Sequence, residues 1–443
     1  MGRKAQTVNL NIFLQGYHIG KYVKGPDGST SFTYTQEWVN GGFAISQSLP
    51  LLTTPYRGEK ARTYFENLLP DLSEVRESIA AKVNANSSEH FDLLMAIGHD
   101  CIGALVFSEQ IDTKLFKDKP PEGQDLTNKD IGNIIRNLKS QPLGMGSELE
   151  DFRISLAGVQ EKTALLFWKN KWQRPIGLTP TTHIIKPPMK FETGGLDMRT
   201  SVHNEYFCMK LCKEMGLNIA DVDLENFDNE LVLVVKRFDR IIKDGIIYRR
   251  AQEDMCQALG YFSSKKYQAD GGPSVKDFAS ILQTSVNRQE DLELLFKSLV
   301  AFYLLGAIDG HAKNYSIEYV QEGHRLTQLY DILSIFPALD KKQISVGKYK
   351  MALSIGKSNH YKVKDIGRRH FLETAKQCFL SEDRANEIID NLLETINNEV
   401  WNNINYSDLF DKSIKDKIVE GLKTMSKKIK SLIYLNLLIY DIG

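Results

Sequence analysis

Apolar and polar residues alternate along the first 35 residues of the chain. Short alternating runs at 8–12, 22–23 and 32–34 are separated by glycine-containing turns, and this pattern predicts a small antiparallel sheet. Apolar residues then recur at helical spacing, which predicts helices over 63–69, 74–84 and 91–97. Residues 1–125 are therefore predicted to form an N-terminal α/β module.

Strand-forming runs return in the middle of the chain and give way to helical patterns after residue 251. The predicted strands cover 152–155, 163–168, 183–186 and 231–235, and a helix is predicted over 202–215. Beyond residue 251 the apolar spacing is nearly all helical. It includes an amphipathic stripe at Ile414, Ile418, Leu422, Met425 and Ile429. The expected domains are 1–125, 126–250 and 251–443, with the last one all helical.

The overall charge of the chain excludes a general attraction to nucleic acid. The 443 residues contain 56 basic and 56 acidic side chains, so any DNA contact must be local or made through a partner. Five cysteines without a zinc-ligand spacing fit reduced thiols and a cytoplasmic setting. The apolar run at 432–439 is too short to span a bilayer, so no membrane association is expected.

The most informative chemical pattern is the segment 309–314. Asp309 and Asn314 have the spacing of the aspartate and asparagine in a protein-kinase catalytic loop, in which the aspartate accepts the substrate proton and the asparagine holds Mg²⁺. Asp331 would be the second metal ligand, because Mg²⁺ prefers carboxylate and amide oxygens. An ordinary turn after a helix explains the same segment about equally well when it is considered alone.

A lysine and a glutamate precede this segment in the order that a kinase requires. Lys186 ends an apolar strand, from which its ammonium group would reach the α and β phosphates of ATP, and Glu205 lies in the next helix, where it would orient that lysine. An edge-strand lysine and a solvated helix glutamate are the alternatives.

Two further segments are candidates for nucleotide contacts. Phe238 follows a strand and would belong to the stretch that brackets adenine, although core packing explains it nearly as well. The loop at 155–162 has one glycine instead of a glycine-rich fingerprint, but the backbone amides of Ala157 to Gln160 would still form an anion-binding nest. A plain hairpin turn is the alternative for this loop.

Taken together, these segments resemble the HipA family of bacterial serine/threonine kinases, the toxins of type II toxin–antitoxin pairs. The resemblance extends over essentially the whole chain. The segments that carry it are 65–71, 98–104, 151–164, 181–186, 204–206, 237–240, 252–257 and 309–314. It implies an α+β, bilobal protein-kinase-like fold with the N-terminal α/β module and an all-helical C-terminal lobe.

The resemblance also implies roles for individual residues. Asp309 would be the catalytic base, Asn314 and Asp331 would hold Mg²⁺, Glu205 would orient Lys186, and Ser155 would be an autophosphorylation site whose modification switches the kinase off. The residues implied to bind ATP are Ala157, Gly158, Val159, Gln160, Glu161, Lys162, Lys186, Lys236, Arg237, Phe238, His311, Ala312, Lys313, Asn314, Tyr330 and Asp331.

The partners implied by the resemblance are a helix-turn-helix antitoxin dimer of the HipB type, operator DNA reached mainly through that antitoxin, and glutamyl-tRNA synthetase as the protein substrate. Two other functions remain open at this point. One is a transcriptional corepressor with little kinase activity, and the other is a phosphotransferase that acts on small molecules.

Overall fold

The computed structural model describes residues 6–111, 119–138, 156–157, 160–189, 197–341, 343–344, 347 and 349–440, without the side chains of 431–440. The chain forms two compact units. The first unit contains Met1–Pro187, Asn226–Lys265 and Ile317–Tyr319, and the second contains Pro188–Glu225, Lys266–Ser316 and Val320–Gly443. Two units built from helices and antiparallel strands agree with the predicted α+β, bilobal class. The predicted three-domain division stays a prediction.

The first unit begins with the antiparallel sheet that the alternating pattern predicts. Its strands are β1 (Val8–Leu14), β2 (Tyr17–Lys24), β3 (Thr30–Tyr34), β4 (Tyr56–Arg57) and β5 (Leu105–Ser108), in the order β4-β3-β2-β1-β5. The helices of this part are α1 (Gln36–Gly41), α2 (Glu59–Glu66), α3 (Ser73–Lys82) and α4 (His90–Ile97). The apolar faces of these strands and helices meet in one buried core, which includes Tyr22, Phe32 and Phe65.

A second antiparallel sheet of the first unit contains the order β11-β9-β7-β8-β6. The elements from this region are β6 (Gly123–Asp125), α5 (Asn128–Leu138), β7 (Thr163–Trp168), β8 (Lys171–Pro175), β9 (His183–Lys186), α6 (Ser201–Glu214), β10 (Val222–Phe227), β11 (Glu230–Lys236), β12 (Arg240–Lys243), β13 (Ile246–Arg249), β14 (Gln252–Asp254) and α7 (Met255–Leu259). Three predicted strands are confirmed as β7, β9 and β11. The predicted strand at 152–155 lies outside the described residues.

The remaining elements are mostly helical. They are α8 (Val275–Leu282), α9 (Arg288–Leu305), β15 (Ser316–Val320), β16 (Gly323–Leu326), α10 (Phe336–Asp340), β17 (Lys350–Ile355), β18 (His360–Lys362), α11 (Arg368–Gln377), α12 (Glu382–Asn397) and α13 (Lys412–Tyr440). The expectation of an all-helical C-terminal lobe is therefore corrected, because β14 to β18 also lie beyond residue 251. In segments as short as these strands, the spacing of apolar residues does not distinguish a strand from a helix.

The C-terminal helix α13 confirms its predicted amphipathic stripe. Ile414, Ile418, Leu422, Met425 and Ile429 are all buried. Among the described residues, no helix is both long enough and apolar enough to cross a membrane.

Candidate active site

The segment 309–314 follows directly from the end of a buried helix. Nearly all of the last turns of α9 are buried, and Gly306 ends the helix in the left-handed conformation at φ 62°. The amide of Gly306 donates to the Tyr303 carbonyl over 3.2 Å, and the amide of Ala307 donates to the Phe302 carbonyl over 2.8 Å. This pair of hydrogen bonds is common where a helix ends at a glycine in the left-handed conformation. It fixes the position at which the 309–314 segment begins.

Hydrogen bonds inside the loop converge on the carbonyl oxygen of Asp309. The backbone amide of His311 donates to it over 2.8 Å, and the side-chain amide of Asn314 donates to it over 2.8 Å. The backbone amide of Asn314 donates to the His311 carbonyl over 2.9 Å, within a 3₁₀ turn at Ala312–Asn314. Asn314 is buried while the side chain of Asp309 is exposed. The loop thus holds a rigid amide beside an accessible carboxylate.

The carboxylate of Asp309 also has a partner that sequence reasoning missed. The Tyr267 hydroxyl donates to Oδ1 of Asp309 over 2.6 Å, and the Tyr267 ring packs edge-on against the His311 ring with the centroids 5.0 Å apart. Tyr267 lies 42 residues before Asp309. A contact at that separation leaves no periodic pattern in the sequence.

One hydrogen bond connects Tyr330, the residue before Asp331, to the same loop, and a second connects it to β15. The Tyr330 hydroxyl donates to the Lys313 carbonyl over 2.8 Å and lies 2.6 Å from the Ser316 hydroxyl. Because Tyr330 has one hydroxyl proton, Ser316 must donate the second bond. Asp331 itself has φ 62°, which is uncommon for a residue other than glycine. The second unit therefore brings Asp309, the segment 311–314 and Tyr330 together, with Asp331 next in the chain.

The residues present fit a divalent cation of the kind that kinases use. The nitrogen of the Asn314 amide is bound to the Asp309 carbonyl, so the amide oxygen is the atom left to serve as a ligand. Within the described ranges, no three His, Cys, Asp or Glu side chains form a metal-binding group. A kinase magnesium site needs only a carboxylate and an amide from the protein, since phosphates and water complete it.

The predicted nucleotide-binding residues of the first unit lie at the ends of strands. Lys186, only 7% exposed, ends β9 opposite Leu233. In the segment before β7, Lys162 donates to the Ala157 carbonyl over 2.7 Å, and the Gln160 side-chain amide donates to the Pro187 carbonyl over 3.1 Å. Glu161 is partly buried. Ser155, Gly158 and Val159 lie outside the described residues.

The segment 236–238 contains one residue with a clear structural role. Lys236 ends β11 opposite His183, and its side chain is exposed. The Arg237 amide donates to the Thr182 carbonyl over 2.9 Å, so among the backbone groups of Arg237 only the carbonyl remains for a nucleotide. Phe238 is half-buried.

The side chain of Arg237 belongs to a buried ion cluster that sequence reasoning did not predict. The carboxylate of Asp100 lies 3.3 Å from Arg237 and 2.8 Å from Arg240, and Asp239 lies 2.7 Å and 2.9 Å from the same two arginines. All four side chains are at most 5% exposed. Burial alone would raise the pKa of Asp100, but Arg240 and Arg237 hold it below its usual range. The cluster joins the N-terminal module to the second sheet within the first unit.

Glu205 lies on α6 in the second unit. It is 1% exposed, so the alternative of a solvated helix glutamate is wrong. The neighbouring Asn204 exchanges two hydrogen bonds with the backbone of Ser334, over 2.7 and 2.8 Å. Asn204 therefore fixes the segment that follows Asp331, a role that was not predicted.

Comparison with known proteins identifies the family. The HipA N-terminal domain model matches residues 10–108, and the HipA-like C-terminal domain model matches residues 154–400. Y4mE of Sinorhizobium fredii, named as a candidate kinase, is 33% identical over 357 residues that cover 79% of this chain and 81% of that protein. The serine/threonine-protein kinase toxin HipA of Shewanella oneidensis is 30% identical over 352 residues, or 75% of this chain and 76% of that one.

A solved structure shares the fold. The complex of Shewanella oneidensis HipA, HipB and operator DNA contains a chain that is 23% identical, with a TM-score of 0.77 over 95% of this chain and 97% of that one. The predicted fold class and the predicted enzyme class, a protein kinase, are confirmed. Because one family model covers more than half of the chain and a second covers the N-terminal module, this protein belongs to the HipA family.

Proposed function

We propose that this protein is an ATP-dependent serine/threonine protein kinase that acts as the toxin of a type II toxin–antitoxin pair. The observation that carries the proposal is the geometry of the loop at 309–314. An exposed carboxylate at Asp309 stands beside the buried Asn314 amide, which is bound to the Asp309 carbonyl. This is the pairing of base and metal ligand on which kinase chemistry depends.

The proposed reaction transfers the γ-phosphoryl group of ATP to a serine or threonine hydroxyl. Asp309 accepts the proton of that hydroxyl as its oxygen bonds to phosphorus and the bond to ADP breaks. Asn314 and Asp331 would hold Mg²⁺, which neutralises the phosphate charge when it is bound. The hydrogen bonds that hold Asn314 support this role, since catalysis of phosphoryl transfer rests mainly on positioning and charge.

Nucleotide contacts are proposed for the residues named from the sequence. Lys186 would bind the α and β phosphates, with Glu205 as its orienting partner, and the backbone of 236–238 would meet adenine. The backbone amides of Ala157 to Gln160 would cradle phosphate. The bond of 2.7 Å from the Lys162 ammonium group to the Ala157 carbonyl supports this proposal, because it connects the two ends of the segment.

Autophosphorylation of Ser155 is proposed as the off switch. A phosphoserine adds a charge of about −2, which would repel the ATP phosphates from the neighbouring loop. The target proposed for the toxin is glutamyl-tRNA synthetase, whose phosphorylation would stop charging and arrest growth in the cytoplasm.

The antitoxin is proposed to be a helix-turn-helix dimer of the HipB type. The Shewanella HipA structure contains HipB and operator DNA, and it has the same fold as this chain. With 56 basic and 56 acidic residues, this protein would depend on its antitoxin for most of its affinity for DNA.

The test uses phosphatase-treated full-length protein incubated with Mg-ATP, with and without purified glutamyl-tRNA synthetase, followed by mass spectrometry. Wild type should add phosphate to Ser155 and to a serine of the synthetase, whereas Asp309→Ala should add none. Asp340→Asn is the control, because Asp340 is a surface carboxylate paired with Lys417.

Two outcomes would contradict the proposal. Absence of phosphate on both proteins would remove the kinase function, and retention of Asp309→Ala on operator DNA with the antitoxin would then favour the corepressor. Phosphate on Ser155 without phosphate on the synthetase would keep the kinase and remove the proposed substrate.

A further inference from the structure

The hydroxyl group of Tyr267 is directed at the side chain of the proposed catalytic base. Its oxygen lies 2.6 Å from Oδ1 of Asp309, a length typical of a strong bond to a carboxylate. Asp309 is exposed, whereas Tyr267 is half-buried. None of the motifs that predicted the active site includes Tyr267.

The two residues next to Tyr267 in the chain hold it in place. The carbonyl of Lys266 accepts from the Ala312 amide over 3.1 Å, within the 309–314 loop itself. On the other side, the Gln268 side chain accepts from the Ser354 amide over 2.8 Å, at β17. The ring of Tyr267 also rests against His311. The hydroxyl is therefore presented to Asp309 from an anchored position.

A hydrogen-bond donor held in this way restricts the rotation of the exposed Asp309 carboxylate. An aspartate on the surface otherwise rotates about its side-chain bonds, and general base catalysis needs the accepting oxygen within hydrogen-bond reach of the substrate hydroxyl. With Oδ1 bound to Tyr267, Oδ2 is the oxygen left for the substrate. The bond selects one oxygen and one orientation.

We propose that Tyr267 is a positioning residue for phosphoryl transfer, which holds the Asp309 carboxylate so that Oδ2 receives the proton of the acceptor hydroxyl. This inference rests on the kinase function proposed above. The acceptor oxygen forms its bond to the γ-phosphorus, the bond from phosphorus to ADP breaks, and the acceptor proton moves to Asp309. Tyr267 keeps its own proton throughout.

The test compares wild type with Tyr267→Phe, which removes the hydroxyl and keeps the ring against His311. The readout is the rate of phosphate incorporation into phosphatase-treated protein and into glutamyl-tRNA synthetase, measured over a range of Mg-ATP concentrations. We expect kcat to fall about 10- to 100-fold, part of the contribution that a positioned base makes, with an unchanged KM for ATP and an unchanged Tm.

The matched control is Tyr406→Phe. Tyr406 donates to the Trp401 carbonyl over 2.6 Å and is not one of the predicted site residues. This variant loses one tyrosine hydroxyl bond of the same length and should keep the wild-type kcat.

The outcomes separate the inference from the function on which it rests. An active wild type with an equally active Tyr267→Phe would overturn the positioning role alone. A fall in Tm or a rise in KM that accompanies the loss of kcat would assign Tyr267 to folding or nucleotide binding, and a rise in kcat would identify the hydroxyl as a block on Asp309. Each of these results overturns the inference, whereas an inactive wild type overturns the kinase function itself.

Discussion

The side-chain amide of Asn314 donates a hydrogen bond to the backbone carbonyl of Asp309 over 2.8 Å. The bond uses the amide nitrogen and connects the proposed metal ligand to the backbone of the proposed base. If the proposed metal site is present, Asn314 has two separable functions, one through its nitrogen and one through its oxygen.

Substitution of Asn314 should distinguish the role of its amide nitrogen from the role of its amide oxygen. Asn314→Ala removes both atoms, and we expect the Mg²⁺ concentration at half-maximal rate to rise about 10-fold or more. Asn314→Asp retains an oxygen ligand and should need less Mg²⁺ than the alanine variant. Initial rates at saturating ATP over a Mg²⁺ titration measure this, with Asn402→Ala on the surface as the control. Equal Mg²⁺ requirements in all variants would exclude Asn314 from the metal site.

Removal of the negative charge of Asp100 should strongly destabilise the first unit. Asp100→Asn leaves the guanidinium groups of Arg237 and Arg240 buried with one carboxylate between them, and breaking a buried pair costs about 3–5 kcal/mol. Urea unfolding followed by circular dichroism measures the loss. Asp125→Asn is the matched control, because Asp125 pairs with Lys171 on the surface, and its midpoint should barely move. Similar midpoints for the two variants would contradict the prediction.

Glu253 should make the stability of the protein depend on pH near neutrality. Burial raises the pKa of this carboxyl from 4.5 to about 7, and its Oε1 accepts from the Tyr319 hydroxyl over 2.5 Å and from the Gln47 amide over 2.9 Å. The folded state binds the proton more tightly than the unfolded chain, so the stabilisation is complete below pH 4.5 and is lost as pH rises through 7.

A neutral isostere at position 253 should remove this dependence. Glu253→Gln keeps an oxygen acceptor for both donors but does not titrate. We expect its stability relative to wild type to improve by about 2.5 kcal/mol between pH 5 and pH 8. Urea unfolding of both proteins at the two pH values measures the difference in the free energy of unfolding between the variant and wild type. The contributions of all other titrating groups cancel in this difference. A constant difference would show that Glu253 does not carry the effect.

Gly306 should tolerate no side chain. It has φ 62°, and a Cβ atom there would lie 2.8 Å from Cε1 of Phe336. Gly306→Ala should cost more than the roughly 1–2 kcal/mol of the left-handed conformation and should lower kinase activity by shifting the 309–314 loop. Gly245→Ala is the control, because Gly245 has φ 76° with nothing within 4 Å of its added Cβ. Thermal unfolding of both variants separates the steric effect of the added methyl group from the cost of the left-handed backbone. Equal losses of stability in the two variants would contradict the steric effect.

Much of the fold follows from local sequence patterns. The β-branched and aromatic runs at 163–168 and 183–186 become β7 and β9 with the predicted limits, and the apolar run before Asp309 becomes the buried helix α9. The backbone groups of a helix bond within the helix, and those of a strand bond to a neighbouring strand. The spacing of apolar residues in the sequence is therefore enough to locate these elements.

The contacts that were not predicted join residues far apart in the chain. Tyr267 meets Asp309 across 42 residues, and Asp100 meets Arg240 across 140. Tyrosines and charged residues are ordinary in either segment, and only the folded backbone brings them together. The proximity of Asp309 and Asn314 could be predicted because both lie in one short loop. The contact between Tyr267 and Asp309 could not.

The charge cluster around Asp100 has a consequence for the evolution and engineering of this protein. A cut between residues 125 and 126 would separate Asp100 from the arginines at 237 and 240, leaving unbalanced charge on both new surfaces. The N-terminal module is therefore not expected to be replaceable by an unrelated domain. A replacement module without an aspartate at this position would leave Arg237 and Arg240 buried with Asp239 as their one remaining carboxylate in this cluster.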